Sequence, residues 1–306
     1  MTVSVRDFVP ADAEAWVRVR RAALPYMVTT SEGVLSDLAA SRPDRRLRLL
    51  VAEEDGELIG TAQVGIAHES PTPGQGFCNP YVRPDRLGRG AGSLLLRTAE
   101  EHLTAAGATD VYSWVLDEPA NRAFAEKRGY EARRSAHFLR LDLAGGSLPP
   151  LPELPAGVEL LSGADFEDDP RPLFEADAET TADEPSDVTS EFTDYEDWLA
   201  TTWRRPGFDH VLTTVVTVDG EVAAFSAAQT DGLTRYWSAM TGTRRAFRGR
   251  GLAKLAKNDS LHRSRAAGYT DAYTGNDAGN GPMLAVNRWF GYEVCATEVR
   301  HVRSIG

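Results

Sequence analysis

The chain repeats itself, and this limits its fold more than any other feature. Asp-Gly-Glu stands at Asp55–Glu57 and again at Asp219–Glu221, 164 residues apart. Gly-Arg-Gly stands at Gly88–Gly90 and Gly249–Gly251, 161 apart. Ala-Ala-Gly stands at Ala105–Gly107 and Ala266–Gly268, also 161 apart, and Gly-Tyr at Gly129–Tyr130 and Gly291–Tyr292, 162 apart. One such match is chance. Four in the same order at a nearly constant offset imply one domain written twice in 306 residues. The boundary falls in AGGSLPPLPELPAG, Ala144–Gly157, whose Pro and Gly content predicts an extended linker. The copies are thus expected at 1–143 and 158–306.

Each copy predicts the same succession of elements. A strand, Arg46–Glu53 in the first copy, leads through an Asp-Gly turn into a second, giving a hairpin, and Val211–Gln229 repeats it. A third strand ends at PYV, Pro80–Val82, or TGT, Thr241–Thr243. A glycine turn follows, then a helix closed by Gly107 or Gly268. Next come a short strand (DVYSWVL or YTDAYTG), a helix ending at the Gly-Tyr pair, and a last strand. Ala11–Met27 and Tyr195–Trp203 read as helical, and the acidic stretch Glu175–Phe192 as a solvated loop. The fold class is α/β of the α+β type: two tandem domains, each a mixed, mostly antiparallel sheet flanked by helices.

Composition excludes several functions. The formal net charge of −12 argues against nucleic-acid binding, which needs a broad basic surface. Cys78 and Cys295 are far apart and form no CxxC, and no Cys/His spacing fits zinc, so no metal is expected. Both are expected as reduced, half-buried side chains, which points to a cytoplasmic protein. No apolar run approaches the ~20 residues of a membrane span, and Met1–Trp16 lacks the apolar core of a signal peptide.

A basic turn in so acidic a chain needs a reason. RAFRGRGLAKLAK, Arg245–Lys257, lies where a strand ends and a helix begins. There the turn's amides and the helix's positive end converge on one point, and glycines allow an anion to approach the main chain. Arg248 and Arg250 add charge, as do Lys254 and Lys257 on the helix. A dinucleotide fold is disfavoured because both turns lack the last glycine of GxGxxG and adjoin hairpins. A P-loop is absent, since GxxxxGK[ST] occurs nowhere.

RGRGLA, Arg248–Ala253, is similar to the Q/R-x-x-G-x-G/A motif of the GNAT (GCN5-related) N-acetyltransferases. The order of elements resembles that family over nearly the whole chain, in the tandem two-domain type to which mycothiol synthase-like and antibiotic-modifying acetyltransferases belong. The resemblance implies an acetyltransferase with acetyl-coenzyme A as co-substrate. Its diphosphate would be held by Arg248, Gly249, Arg250, Gly251, Leu252 and Ala253, and its thioester by backbone N–H groups of Thr241 and Thr243.

The first copy departs from this pattern. Pro80 has no N–H where Thr241 has one, and Leu87 stands at the place of Arg248, with Arg86 one residue too early. That copy is read as degenerate and the second as catalytic: Gly88, Arg89, Gly90 and Gly92 would still bind coenzyme A weakly, or the first copy is structural and helps to wall the acceptor pocket. Many family members carry a tyrosine acid four residues before the Gly-aromatic pair; here the position is Asn287, and Ala125 in the first copy. The catalytic candidates are therefore Thr241, Asn276 and Asn287. Asn287 would orient the sulfur or a water, or else bond locally or to the pantetheine amides. Asn280 resembles a pantetheine-facing asparagine, or caps the last helix. Asp277 is a candidate base. Tyr236 and Tyr273 would line an acceptor site or the core, and His210 and His301 have surface or core roles. The expected acceptor is a primary amine of a small molecule, cationic in view of Glu175–Glu184, with no nucleic acid or membrane as partner. A peptide or protein acceptor, and a coenzyme A-binding sensor without turnover, are the rival readings.

Overall fold

The computed structural model describes residues 2–67, 70, 72–184 and 194–306. The first copy gives β1 (Val3–Asp7), α1 (Ala13–Ala23), α2 (Ser31–Ala39), β2 (Arg48–Glu54), β3 (Glu57–Ile66), β4 (Gln75–Val82), α3 (Ala91–Ala105), β5 (Asp110–Leu116), α4 (Pro119–Glu126) and β6 (Glu131–Asp142). The second gives β7 (Val158–Ser162), α5 (Arg171–Thr181), α6 (Tyr195–Trp198), β8 (Thr214–Val218), β9 (Glu221–Thr230), β10 (Arg235–Thr243), α7 (Leu252–Ala266), β11 (Asp271–Asp277), α8 (Gly281–Trp289) and β12 (Glu293–Ser304).

Contacts divide the chain into two units, Met1–Ala136 with Ala296–Gly306, and His137–Cys295. The first has strand order β1-β2-β3-β4-β5-β12 and the second β6-β11-β10-β9-β8-β7. In the first, β12 pairs antiparallel with β5 from Glu298↔Leu116 to Ser304↔Asp110. The closing strands are thus exchanged. The sequence assigns each to the copy that it ends, but 296–306 complete the first unit and 137–142 belong to the second. Periodicity marks a strand and says nothing about its neighbour, so boundaries at 143 and 158 miss the exchange.

Local chemistry explains the common parts. The two Asp-Gly turns place Asp55 and Gly56 at φ 52° and 82°, and Asp219 and Gly220 at 51° and 82°. Two consecutive left-handed residues are what a tight hairpin turn requires. Each sheet is covered on both faces by helices. In the first unit Leu95, Ala99 and Leu103 of α3 pack on Leu50, Ala62, Val64 and Cys78, and Trp16 and Val17 of α1 pack on Leu49 and Val51. In the second, Leu252, Leu255 and Ala256 of α7 meet Val216 and Ala224, while Leu173 and Ala176 of α5 join Trp198, Trp203, Val215 and Phe225.

One local expectation is overturned and two are refined. Glu175–Thr181 is not a loop but the end of α5, because Leu173, Ala176 and Thr180 fall on one buried stripe; residues 185–192 lie outside the described residues. Tyr195–Trp203 is helical, though from Leu199 it widens into a π-turn. The linker has no helix or strand, yet α7 fixes it. Asn258 Nδ2 donates to Pro150 O (3.1 Å), His262 Nε2 meets Pro149 O (2.9 Å), and Arg265 donates to Leu143 O (2.6 Å) and Gly146 O (2.5 Å).

A chain ended after Cys295 lacks the strand that borders β5. Hydrogen exchange of the Val111–Leu116 amides is expected to accelerate at least tenfold relative to the full chain, with a lower Tm. Unchanged protection there would show that the borrowed strand is dispensable.

Candidate active site

The site is built where two parallel strands part. β10 and β11 pair over only Arg235↔Asp271, Tyr236↔Ala272 and Trp237↔Tyr273, although β10 continues to Thr243 and β11 to Asp277. Between Ser238 and Thr241, β10 also carries a bulge against β9, which bends the strand away from its neighbour. Arg244 N donates to Ala223 O at 2.9 Å, and the register sets Thr243 opposite Ala224 and Thr241 opposite Ser226. Amides of an antiparallel strand alternate between its two sides. Those of Thr243 and Thr241 therefore face away from β9, into the gap.

Gly242, between them, has its own constraint. A Cβ there would lie 2.7 Å from the side chain of Thr180 on α5, so only glycine lets that helix approach β10 so closely. The Thr241 hydroxyl is held by Ser226 (3.0 Å) and Ser238 (3.2 Å).

Beyond β10 the chain makes a short 3-10 turn, Arg245–Phe247, and then reverses. Gly249 and Gly251 adopt φ 78° and 77°, and a Cβ at either would meet no atom within 4 Å. The glycines are thus required for chain direction, and their outer side is open. Amides of Gly249, Arg250 and Gly251 donate to no acceptor among the described residues, and Leu252–Ala253 start α7. Arg248 Nε donates to Thr243 O (3.2 Å), tying the turn to the strand. Its Nη2 meets Asp183, which also takes two bonds from Arg245 (2.9 and 2.6 Å). These guanidinium groups pull the Asp183 carboxyl down to about 2. Glu179 accepts from Arg244 Nε (3.0 Å) and Arg245 N (2.5 Å). Arg250 lies over Phe247 at 5.9 Å.

The matching place in the first unit is closed. β4 and β5 also pair over three residues, Gln75↔Asp110 to Phe77↔Tyr112, but the β3–β4 ladder has no bulge. Asn79 reaches across the gap, its Oδ1 accepting from Trp114 N (3.0 Å), and Pro80 follows. At the turn, Glu54 takes a bond from Arg89 (2.6 Å), and Glu57 is bonded by Arg83 and Arg86. At the 164-residue offset Val218 occupies the place of Glu54. Gly88 and Gly90 keep left-handed φ of 79° and 90°, and a Cβ built on Gly92 would lie 3.5 Å from Phe124. Leu87 is exposed.

Two of the remaining candidates come together. Asn287 Nδ2 donates to Asn276 Oδ1 at 2.5 Å, which joins α8 to the diverging end of β11. Behind them stands a residue misplaced by the sequence. Lys257 does not add charge to the turn: it is fully buried, donates to Asn287 Oδ1 at 2.6 Å and has the Tyr292 ring 4.8 Å away. Burial alone lowers its amine to about 7. A signal was present, since the first copy has Leu96 and Ala125 at these two positions. Lys and Asn replace them together. Lys254, in contrast, lies over Trp289.

Other candidates have structural places. Asn280 caps α8, its Oδ1 accepting from Met283 N (3.3 Å). Asp277 accepts from Gly279 N (2.7 Å). Tyr236 is in the core with its hydroxyl on Ser260 (2.8 Å), and Tyr273 is buried. His210 stacks on Trp203 at 4.2 Å, and His301 is buried against Val299 O (3.0 Å). Of the cysteines, Cys78 is wholly buried and Cys295 exposed, and neither forms a disulfide; the Cys295 thiol donates to Phe138 O at 3.4 Å.

Known proteins agree with this architecture. The profile of the Acetyltransferase (GNAT) family matches residues 14–130, which lie in the first copy. The mycothiol acetyltransferase of Clavibacter sepedonicus is 31% identical over 228 residues, 73% of this chain and 71% of that protein. The chain belongs to the GNAT acetyltransferase family. Another relative, the mycothiol acetyltransferase of Clavibacter michiganensis, is 29% identical over 275 residues, 85% of each protein. The match to the Nocardia farcinica mycothiol acetyltransferase is 39% identical, but it spans 40% of this chain and 38% of that protein. Among solved structures, a GCN5-related N-acetyltransferase from Sphaerobacter thermophilus aligns over 99% of this chain and 96% of its own, with TM-score 0.73 and 24% identity. A tandem GNAT protein from the clavulanic acid biosynthesis pathway aligns over 100% and 99%, with TM-score 0.75 and 19% identity. This GNAT chain is accordingly an acetyltransferase with two GNAT folds. Among its described residues no helix is long and apolar enough to cross a membrane.

Two stability measurements probe the site. Gly242→Ala forces α5 off β10 and is expected to cost about 1–3 kcal/mol; an unchanged denaturant midpoint at full activity would contradict the close approach. For Lys257 the sign follows from proton counting. Its folded value is about 7 against about 10.4 when unfolded, so between these the unfolded chain holds the extra proton. Its burial penalty is complete below pH 7 and fades as pH rises. The stability gained by Lys257→Met should therefore shrink from pH 7 to pH 10, by up to ~1.4 kcal/mol per unit.

Proposed function

We propose that the second unit binds acetyl-coenzyme A and transfers its acetyl group to a primary amine on a small molecule. The observation that carries this reading is the parting of β10 from β11 after three residue pairs, with the Thr241 and Thr243 amides facing the gap and the Gly249–Gly251 turn at its end. The turn offers a diphosphate free amides, a helix N-terminus, and Arg248 and Arg250. When bound, the coenzyme supplies an activated acetyl thioester. The N–H of Thr241 would stabilise negative charge developing on the acyl oxygen, a contribution of about 3–4 kcal/mol for such donors. Asp183 keeps its charge well below neutral pH, so a diphosphate shares Arg248 with this carboxylate or displaces it.

The acceptor class draws support from relatives. Several bear the name mycothiol acetyltransferase, and one is the "Aminoglycoside N(6')-acetyltransferase type 1" of Stenotrophomonas maltophilia, 27% identical over 147 residues. Charge supports a cationic acceptor less than the sequence implied, because Glu179 and Asp183 already hold arginines. A second reading, a coenzyme site in the first unit, rests on the family match to residues 14–130. Against it stand Asn79, Pro80 and Glu54.

Titration calorimetry of the full chain with acetyl-coenzyme A separates these readings. One site per chain is expected. Arg248→Glu should weaken it at least tenfold and abolish thiol release with an amine panel, while Arg89→Glu leaves both unchanged. Two sites would add a coenzyme site in the first unit, and sensitivity to Arg89→Glu alone would move the chemistry there. Acetylation of neutral or acidic amines only would remove the cationic acceptor.

A further inference from the structure

Lys257 sits at the inner end of a chain of three polar side chains that opens at the gap. Its Nζ donates to Asn287 Oδ1 at 2.6 Å, and Asn287 Nδ2 donates to Asn276 Oδ1 at 2.5 Å. Lys257 and Asn287 are both fully buried. The Nδ2 of Asn276 has no acceptor among the described residues, and it is not a buried atom. Asn276 is located on β11 beyond its last pairing with β10, Trp237↔Tyr273, so the outer end of the chain lies where the strands have parted.

The direction of this chain is not arbitrary. A carboxamide has a donor end and an acceptor end and is free to rotate by half a turn. An ammonium has donors only. With Lys257 charged, Asn287 must turn its oxygen inward and its N–H₂ outward, and Asn276 must then do the same. We propose that Lys257 is a positioning residue for acetyl transfer: it fixes the polarity of Asn287 and Asn276 so that Asn276 presents N–H donors, not an oxygen, to the acyl-coenzyme in the gap. The proposal rests on the assignment of the coenzyme to the second unit.

The first unit shows what the fold needs without this device. Leu96 and Ala125 occupy the two positions, both are buried, and α3 still packs on its sheet. A lysine is therefore not required for packing. It bears a desolvation penalty, which brings its amine to about 7. Among the described residues no charged group shifts the Lys257 amine; the titratable group facing it is the phenol of Tyr292, whose ring lies 4.8 Å from Nζ, and Tyr236 on β10 interacts in turn with Tyr292. Burial raises both, so they are neutral throughout. Lys254, one turn earlier on α7, points to Trp289. A neutral Lys257 amine also has a lone pair and accepts as readily as it donates, so the enforced polarity relaxes above pH 7.

The test is affinity of the full chain for acetyl-coenzyme A by calorimetry from pH 6 to pH 9. The wild type should weaken about fivefold through a limb near pH 7, as for one hydrogen bond. Lys257→Met should bind at the weaker level throughout, without the limb. Asn276→Asp, which leaves Lys257 in place, offers oxygens only and should also bind weakly at every pH. In the unaltered protein, side-chain amide resonances of Asn276 and Asn287 should shift together with the same midpoint, a readout that needs no variant. Arg248→Glu separates the positioning role from the site itself. If it abolishes binding while Lys257→Met reproduces the wild-type pH profile, the positioning role is wrong and the site assignment holds. If Arg248→Glu binds normally, both fall. Independent titration of the two asparagine resonances, or none, would also overturn the role.

Discussion

The second unit depends on backbone hydrogen bonds that are withheld. A parallel strand pair ordinarily satisfies its amides along its whole length. Here β10 and β11 do so for three residues and then part. A bulge turns β10 aside, and Thr241 and Thr243 keep donors that face the gap. The structure around this opening holds it apart. α5 presses on Gly242 from one side, Arg248 ties the turn to Thr243, and the Lys257–Asn287–Asn276 chain, buried at its inner end, braces β11 from behind.

The first unit shows the same opening healed. Asn79 supplies the acceptor that a missing strand neighbour would supply, Pro80 removes a donor, and Glu54 and Glu57 neutralise the arginines of the turn. Such sealing follows from the cost of unpaired buried polar groups, about 1–3 kcal/mol each. Filling the gap with Asn79 satisfies an amide that the parted strands would otherwise leave without a partner. The two units thus read as one fold under two demands, packing in the first and an open donor set in the second.

Several features were legible in the residues alone. Hairpins declared themselves through Asp-Gly turns, α3 and α7 through their glycine boundaries, and the basic turn through Arg248–Gly251. Each is local, since the residues involved are neighbours in the chain. Pro80 against Thr241 was readable for the same reason, because proline lacks an N–H wherever it is found. The loop assigned to Glu175–Phe192 failed where acidic composition outweighed the buried stripe of Leu173, Ala176 and Thr180. Charge on a helix's outer face looks like charge in a loop until the inner face has a partner. Lys257 failed differently. As a cation near an anion-binding turn it reads as part of that turn, and only helix phase against a packed neighbour puts it in the core.

By itself, then, the sequence determined the duplication, the order of elements from each hairpin onward, the family and which copy has an N–H at the strand end, because each depends on residue type and short-range spacing. Tertiary structure alone decided which strand completes which sheet, that Asn79 closes one gap, that Asp183 meets Arg248, and that Lys257 is buried at the inner end of an amide chain. Those facts depend on which distant segments become neighbours, and neither hydrophobic period nor turn chemistry encodes a partner across 160 residues.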